Sequence, residues 1–224
     1  MVAPQCTGRA PDALADSVLS FWLGNNYGEV PLLTPTPPEA QKRWYAGGPV
    51  VDEECRSKFG AEIEAIGAGK YDSWTESPVN TVAGIILMDQ LSRNVYRGTP
   101  KMFALDSKAL SWSDKLMDSG AWRGLSSQML GFVLTCYMHS EKLEDQKRGI
   151  VNLETVISEL SVGVEPESAA GKAVGGLKNV KQYSQAHLDI VAKWGRFPHR
   201  NASIGRESTP EEAAGLADGS IKGF

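Results

Sequence analysis

Two stretches of sequence, VNTVAGIILMDQL at residues 79–91 and LSSQMLGFVLTCYM at residues 125–138, decide the fold class of this chain. Both are apolar nearly all round at their centres, whereas a helix on a protein surface has one apolar stripe and one polar face. Such a helix is normally enclosed by other helices, and Gly84 and Gly131 inside them permit close approach. The two stretches therefore predict the central helices of an all-α bundle or solenoid.

Helices with a single apolar stripe are predicted around this centre. In residues 52–66, Cys55, Phe59 and Ile63 recur at the spacing of one helix face. Apolar spacing and helix-terminating residues predict further helices over residues 12–23, 39–45, 101–118, 141–160 and 181–195. The sequence lacks the alternation of apolar and polar residues that β-strands show.

One long segment has no apolar stripe. Residues 161–180 (SVGVEPESAAGKAVGGLKNV) are rich in Gly, Ala and Ser, a composition typical of mobile loops. The 44 residues that follow are too few to form a separate core. We therefore expect one all-helical domain over residues 1–224, in which residues 161–180 form a flexible loop.

Composition argues against several classes of protein. The chain has 23 Lys and Arg against 27 Asp and Glu, so we expect it to bind neither nucleic acid nor an anionic membrane surface. The apolar run at residues 82–88 is far shorter than the ~20 residues that cross a bilayer. The first residues lack the apolar core of a secretory signal, and Cys6, Cys55 and Cys136 form no disulfide or metal-binding pattern. We expect a cytoplasmic protein without a cofactor.

Each apolar stretch runs directly into a polar cluster. Asp89, Arg93 and Arg97 follow the first stretch and share one helix face if the helix continues to Gly98. His139 and Glu141 follow the second stretch, at the junction with the next predicted helix. A ladder of structural ion pairs is at least as good an interpretation of the first cluster as a ligand clamp.

The third cluster is basic and lies in residues 193–206 (KWGRFPHRNASIGR). Pro198 ends the preceding helix, and residues 209–212 (TPEE) read as a capping box that starts another. The segment is therefore a structured loop, which either binds an anion or holds itself by hydrogen bonds to helix carbonyls. His187, on an apolar helix face, is more typical of a buried core histidine than of a site residue. A metal site of His139, Glu141 and His187 lacks a supporting spacing, so we expect none.

Three motifs together resemble a known family. MDQLSRNVYRGTP (88–100), YMHSEKLEDQ (137–146) and HLDIVAKWGRFPHRNASIGRESTPEE (187–212) are similar, in this order, to the pattern of the mainly bacterial domain of unknown function family 924. Leu91 and Ser92 stand where the pattern has Phe-Pro, and Trp194 stands for Phe. The resemblance implies an all-helical, TPR-like fold and supplies no activity.

The first function that the clusters support is a pocket for a small anionic ligand, a phosphate or a carboxylate, in an enzyme of hydrolase or transferase type. Arginines would hold the anion, and a histidine oriented by a carboxylate would move a proton. The candidate catalytic residues are His139, Glu141 and His199. The candidate ligand-binding residues are Asp89, Arg93, Asn94, Arg97, His187, Arg196, Arg200, Asn201 and Arg206.

The alternative function is a TPR-like interaction module that binds a peptide or a partner helix. In that case the motifs hold the helices together, and the binding groove carries ordinary exposed residues. A deep pocket lined by His139, His199 and the arginines favours the first function. A wide groove, with these groups paired among themselves, favours the second.

Overall fold

The computed structural model describes residues 8–221 and 223. The helices in this part of the chain are α1 (Ala13–Leu23), α2 (Pro38–Ala46), α3 (Gly48–Gly67), α4 (Pro78–Ile85), α5 (Ser92–Val95), α6 (Asp106–Asp118), α7 (Ser127–Met138), α8 (Leu143–Leu160), α9 (Ala169–Trp194), α10 (Asn201–Ile204) and α11 (Pro210–Ala217). A π-helical segment, Ile86–Leu91, joins α4 to α5, and short 3₁₀ helices include Pro100–Phe103 and Pro198–Arg200. Within these residues there is no β-sheet, and no helix is both long and apolar enough to cross a membrane. The all-α prediction is confirmed, while the finer TPR-like arrangement stays a prediction.

The two apolar stretches form the centre of the fold, as predicted. All of residues 79–89, in α4 and the π segment, are buried, and α7 is buried along most of its length. Helix α4 packs against α1, α6 and α7, and α7 packs against α6, α8 and α9. One hydrophobic cluster extends from Ala15 in α1 to Leu177 in α9. The other helices therefore enclose these two.

The two central glycines have different surroundings. A Cβ atom added at Gly84 would lie 2.1 Å from the ring of Trp112 in α6, so α4 and α6 touch there only because Gly84 has no side chain. A Cβ atom at Gly131 would meet nothing within 4 Å. The expectation of close helix contact is correct for Gly84 and wrong for Gly131.

The expected loop over residues 161–180 is wrong for residues 169–180, which are the first half of α9. Ser168 caps this helix, because its hydroxyl accepts a hydrogen bond from the main-chain N–H of Gly171 at 3.0 Å. Ala173, Val174 and Leu177 form a narrow buried face on this half of the helix. Packing against α7 and α8 stabilises a helix whose composition alone is unfavourable.

We expect Gly84→Ala to lower the free energy of unfolding by about 1–3 kcal/mol, because the added methyl group collides with Trp112. Gly131→Ala is the matched control, the same change in the other central helix. It is expected to be neutral, or to stabilise by up to about 1 kcal/mol through helix propensity. Urea unfolding measures both, and equal effects at the two positions would contradict a tight contact between α4 and α6.

Candidate functional site

The candidate site lies where the two central helices end. Asp89 belongs to the π segment that follows α4, and His139 is the C-cap residue of α7. Nδ1 of His139 lies 2.6 Å from Oδ1 of Asp89. A π-helical turn contains an extra residue, which rotates the chain that follows, and such turns are frequent at functional sites. The structure thus joins the first two polar clusters through one buried contact.

Asp89 is ionised and His139 is neutral near pH 7. Burial alone would raise the pKa of Asp89, but Arg93 and His139 outweigh it and hold this pKa well below its usual range. Burial lowers the pKa of His139 to about 4, although Asp89 acts in the opposite direction. A carboxylate only accepts hydrogen bonds, so the proton of the imidazole is on Nδ1. Nε2 of His139 therefore carries a lone pair, and no hydrogen bond within the described residues uses it.

Arg93 connects Asp89 to a second carboxylate. Its Nη1 donates to the main-chain carbonyl of Asp89, and its Nη2 lies 3.0 Å from the carboxylate of Asp106. Asp106 is the first residue of α6, and Nη1 of Arg200 lies 3.4 Å from its Oδ2. Asp89, Arg93, Asp106 and Arg200 thus form a row of charges of alternating sign. Asp106 was missed at the sequence level because it belongs to none of the three motifs.

Arg200 is held by aromatic rings more than by hydrogen bonds. Its guanidinium carbon lies 4.4 Å from the ring centroid of Phe103 and 4.6 Å from that of Phe197. The residue is only 8% exposed, and its buried Nε has no hydrogen-bond partner. The long contact with Asp106 is the one hydrogen bond of its side chain within the described residues. Burial lowers the pKa of Arg200, yet an arginine stays charged at pH 7. Most of the N–H donors of the Arg200 guanidinium are therefore not used within the described residues.

Arg200 and His139 open into one cleft of about 460 Å³. Asp106 and Glu141 also reach this cleft, and Phe103, Leu110 and Ile204 give it an apolar side. The positive charge of Arg200 contributes to the low pKa of His139, so the two groups act on each other. The cleft thus combines a cation, a neutral imidazole with a lone pair, and an apolar wall.

Arg206 and Glu141 hold the basic loop, residues 193–206, in place. Arg206 donates to both carboxylate oxygens of Glu141, at 2.6 and 2.9 Å, and to the carbonyl of Phe197 at 3.0 Å. Glu141 also accepts the main-chain N–H of Phe197 at 2.8 Å. Nε of Arg206 donates to the side chain of Asn201 at 2.8 Å. These bonds occupy Arg206, so its contribution to a ligand site is to position the loop beside the cleft.

Arg196 likewise serves the loop rather than the cleft, contrary to the expectation that it binds ligand. It donates to both oxygens of Glu212 at 2.7 Å. The capping box at the start of α11 is present, and Glu212 and Thr209 form it. Asn201 is buried and donates to Glu212 at 3.2 Å. Two bidentate arginines and a capped helix therefore stabilise the loop.

The structure does not bring Arg97 and Asn94 to the cleft, and both contact Asp52 of α3 instead. Asn94 donates to Asp52 of α3 at 2.7 Å, and Arg97 contacts the same carboxylate at 2.7 and 2.8 Å. The expected shared face requires a regular α-helix as far as Gly98. Instead the π segment changes the register and α5 ends at Val95, so Arg97 lies past the helix end.

The other two histidines lie beside the cleft and do not line it in the described structure. His187 is buried in α9, with Nδ1 2.7 Å from the carbonyl oxygen of Tyr183 and its ring 6.2 Å from that of His139. Burial, with Arg200 next in effect, lowers the pKa of His199 to about 4. Both positions agree better with a structural role than with the catalytic role expected for His199.

The cysteines of the described chain take no part in the cleft's polar chemistry. Cys55 and Cys136 are buried and unpaired in the described residues, and burial raises the pKa of both thiols, that of Cys55 to about 12. Cys6 lies outside the described residues. Within residues 8–221 and 223, no cluster of three His, Cys, Asp or Glu side chains is placed to hold a metal ion.

Comparison with known proteins gives a family and a related structure. The family described as "Bacterial protein of unknown function (DUF924)" matches residues 18–220. A solved structure of a protein of unknown function from Agrobacterium tumefaciens is similar, with a TM-score of 0.71 and 26% identity. The similarity covers 92% of this chain and 98% of that one. No curated protein matches this chain.

We expect Arg206→Ala to destabilise the fold by about 2 kcal/mol, because Glu141 and the carbonyl of Phe197 lose their donor. Arg123→Ala is a matched control, since Arg123 also makes a bidentate pair, with the exposed Glu159. An exposed pair contributes at most about 1 kcal/mol, so this change should cost less. Chemical denaturation of both variants compares the two losses, and similar losses would mean that Arg206 does not hold the loop.

We expect the free energy of unfolding to fall as the pH falls from about 6.5 to about 4, in part because of His139. Its folded-state pKa of about 4 lies below the usual value of about 6.5, so in this range the unfolded chain binds the proton and the folded chain does not. The contribution of His139 to the free energy of unfolding is therefore fully present above about pH 6.5 and is lost as the pH falls toward 4. His139→Gln should reduce this slope by up to about 1.4 kcal/mol per pH unit. Denaturation at several pH values measures it, and equal slopes would contradict a neutral, buried His139.

Proposed function

The chain belongs to the DUF924 family of bacterial proteins of unknown function, and we propose that its cleft binds a small anionic ligand, a phosphate or a carboxylate. In this proposal, Arg200 binds the anion and His139 moves a proton on the bound molecule. Asp89 orients the imidazole. The reaction class is hydrolytic or transfer chemistry on an anionic metabolite.

The observation that carries the proposal is the incomplete hydrogen bonding of Arg200. A buried donor without a partner costs about 1–3 kcal/mol, so proteins rarely leave one unless something else binds it. The guanidinium has five N–H donors and, within the described residues, uses one of them in a contact of 3.4 Å. Its planar fork suits the paired oxygens of a phosphate or carboxylate. Phe103 and Phe197 hold the plane fixed, which reduces the entropy lost on binding.

The state of His139 supports proton transfer at the same place. A neutral imidazole held by a carboxylate through Nδ1 offers Nε2 as a general base, as in hydrolases with an Asp–His pair. The neighbouring charge of Arg200 helps to keep His139 neutral. An anion bound to Arg200 would offset this charge and would raise the pKa of His139 toward neutrality. Binding would thus make the imidazole a more effective acid–base group.

The size and lining of the cleft favour an organic anion over a bare inorganic one. A volume of about 460 Å³ lies within the ~300–1,000 Å³ range of small-molecule sites. Phe103, Leu110 and Ile204 offer apolar contact for the body of such a molecule. The ligand class is therefore a carboxylate or phosphate that carries an apolar group.

The alternative, an interaction module for a peptide or helix, draws support from a different surface. Tyr45 at the end of α2 is 84% exposed, and Val50 at the start of α3 is 71% exposed. Large apolar side chains that stay exposed are available for contact with a partner. Arg196 and Arg206 also have the internal pairing that this function requires.

We expect Arg200→Ala to lower the affinity for an anionic ligand at least about tenfold, because the anion loses its charged donor. Arg97→Ala is the matched control, since it removes the same side chain and charge at an exposed position that contacts Asp52 and does not line the cleft. A thermal-shift screen of phosphorylated and carboxylated metabolites finds the ligand, which at about 100 times its Kd adds about 2.7 kcal/mol of stability. Strong destabilisation by Arg200→Ala with unchanged binding would reject the proposal.

A further inference from the structure

We infer that Asp106 makes the cleft selective for an oxyanion that carries a proton, namely a hydrogen-bearing phosphoryl group, over sulfate and over simple carboxylates. This inference rests on the proposed function of Arg200 and adds the choice of anion. It assigns Asp106 the role of a specificity-determining acceptor beside the anion site. No covalent step is involved.

The geometry places a carboxylate directly beside the guanidinium that would bind the anion. Oδ2 of Asp106 lies 3.4 Å from Nη1 of Arg200, and Asp106 reaches the same cleft. Nη2 of Arg93 lies 3.0 Å from both carboxylate oxygens of Asp106. Arg93 therefore fixes the carboxylate, and an anion bound to Arg200 cannot push it away without breaking that contact.

The Asp106 carboxylate has acceptor capacity that the protein does not use. An ionised carboxylate offers about four lone-pair positions. Here Arg93 and Arg200 each make one hydrogen bond, both to Oδ2. Oδ1 is buried against Arg93 and has no well-directed hydrogen bond, so a ligand in the cleft would reach this carboxylate through Oδ2, whose contact with Arg200 is long at 3.4 Å. A donor from a ligand would complete this shell, and hydrogen phosphate, or a phosphomonoester that has kept one proton, can supply one.

The same carboxylate repels anions without a proton. Sulfate and an ionised carboxylate present only acceptor oxygens, so near Asp106 two negative oxygens would face each other. Hydrogen phosphate instead donates its P–OH to Asp106 while its other oxygens accept from Arg200. A site that selects in this way combines one attractive and one repulsive element, as specific sites generally do.

The pH dependence provides an internal check on this geometry. Burial raises the pKa of Asp106 to about 6; the groups that face it are Arg93 and Arg200, which lower this pKa, and Asp89, which raises it. Above about pH 6 the carboxylate is ionised and discriminates against sulfate. Below about pH 6 it is protonated and can donate to sulfate, so discrimination should decrease. In the ligand-free protein His139 is neutral over this range, because its pKa is about 4.

The experiment compares inorganic phosphate with sulfate by isothermal titration calorimetry on the whole chain, at about pH 8 and about pH 5. Inorganic phosphate keeps at least one P–OH at both pH values. For the wild type we expect phosphate to bind at least about tenfold more tightly than sulfate at pH 8, and the ratio to fall at pH 5. Asp106→Asn should bring the ratio at pH 8 close to one, because an amide can donate to sulfate.

Asp114→Asn is the matched control, since Asp114 lines the same cleft and already contacts Tyr137 and Arg148. It should leave the ratio unchanged. Equal binding of phosphate and sulfate by the wild type at pH 8, or binding of carboxylates without phosphate, would overturn the inference and leave the proposed function standing. Failure of every phosphate and carboxylate to bind would instead reject the proposed function. If Asp106→Asn does not fold, the wild-type ratios at the two pH values decide.

Discussion

A fully buried, ionised carboxylate, that of Asp89, is the constraint on which the arrangement of this site depends. An isolated charge in the interior costs many kcal/mol unless it is paired and hydrogen-bonded. Asp89 therefore requires His139 and Arg93 as partners, and the charge of Arg93 is shared in turn with Asp106. Each charge in the row compensates its neighbour until Arg200, which ends the row with donors unused. The incomplete compensation thus lies at the cleft, where a ligand can supply what the protein lacks.

Arg196, Arg200 and Arg206, the arginines of the loop after α9, divide into two kinds by what their guanidinium groups contact. Arg196 and Arg206 each make bidentate contacts with a glutamate, and a carbonyl accepts a further hydrogen bond from each. Such pairs fix the loop, so Arg200 is presented in one geometry by a short 3₁₀ helix and two aromatic rings. A preorganised donor loses little entropy when it binds an anion. Arg196 and Arg206 therefore fix the loop that positions Arg200, whose own guanidinium is not fully hydrogen-bonded.

The sequence predicts the parts of this structure that depend on local pattern. The two apolar helices are predictable because they lack a polar face. The capping box is predictable because Thr209 and Glu212 lie only three positions apart in the sequence. The first half of α9 is not predictable, since its three buried residues, Ala173, Val174 and Leu177, are too few to form a clear stripe in residues 169–180. The π segment is equally hidden, and so is the end of α5 at Val95, which leaves Arg97 outside the helix that contains Arg93. Asp106 lies outside the three motifs and reaches Arg200 only through folding, so no spacing reveals it.

The position of Arg93 joins the two halves of the site into one electrostatic unit. Its guanidinium contacts both Asp89, which orients His139, and Asp106, which contacts Arg200. Protonation of Asp106 removes a negative charge from beside Arg93, so the positive charge of Arg93 is less compensated. Because the interior screens charges weakly, this change also acts on Asp89 and His139. Anion binding and proton affinity are therefore coupled through shared contacts rather than through a change of shape. A site built in this way needs a rigid scaffold, and the tight packing of α4 on α6 at Gly84 and Trp112 contributes to it, because α4 runs into the segment that contains Asp89 and α6 begins with Asp106.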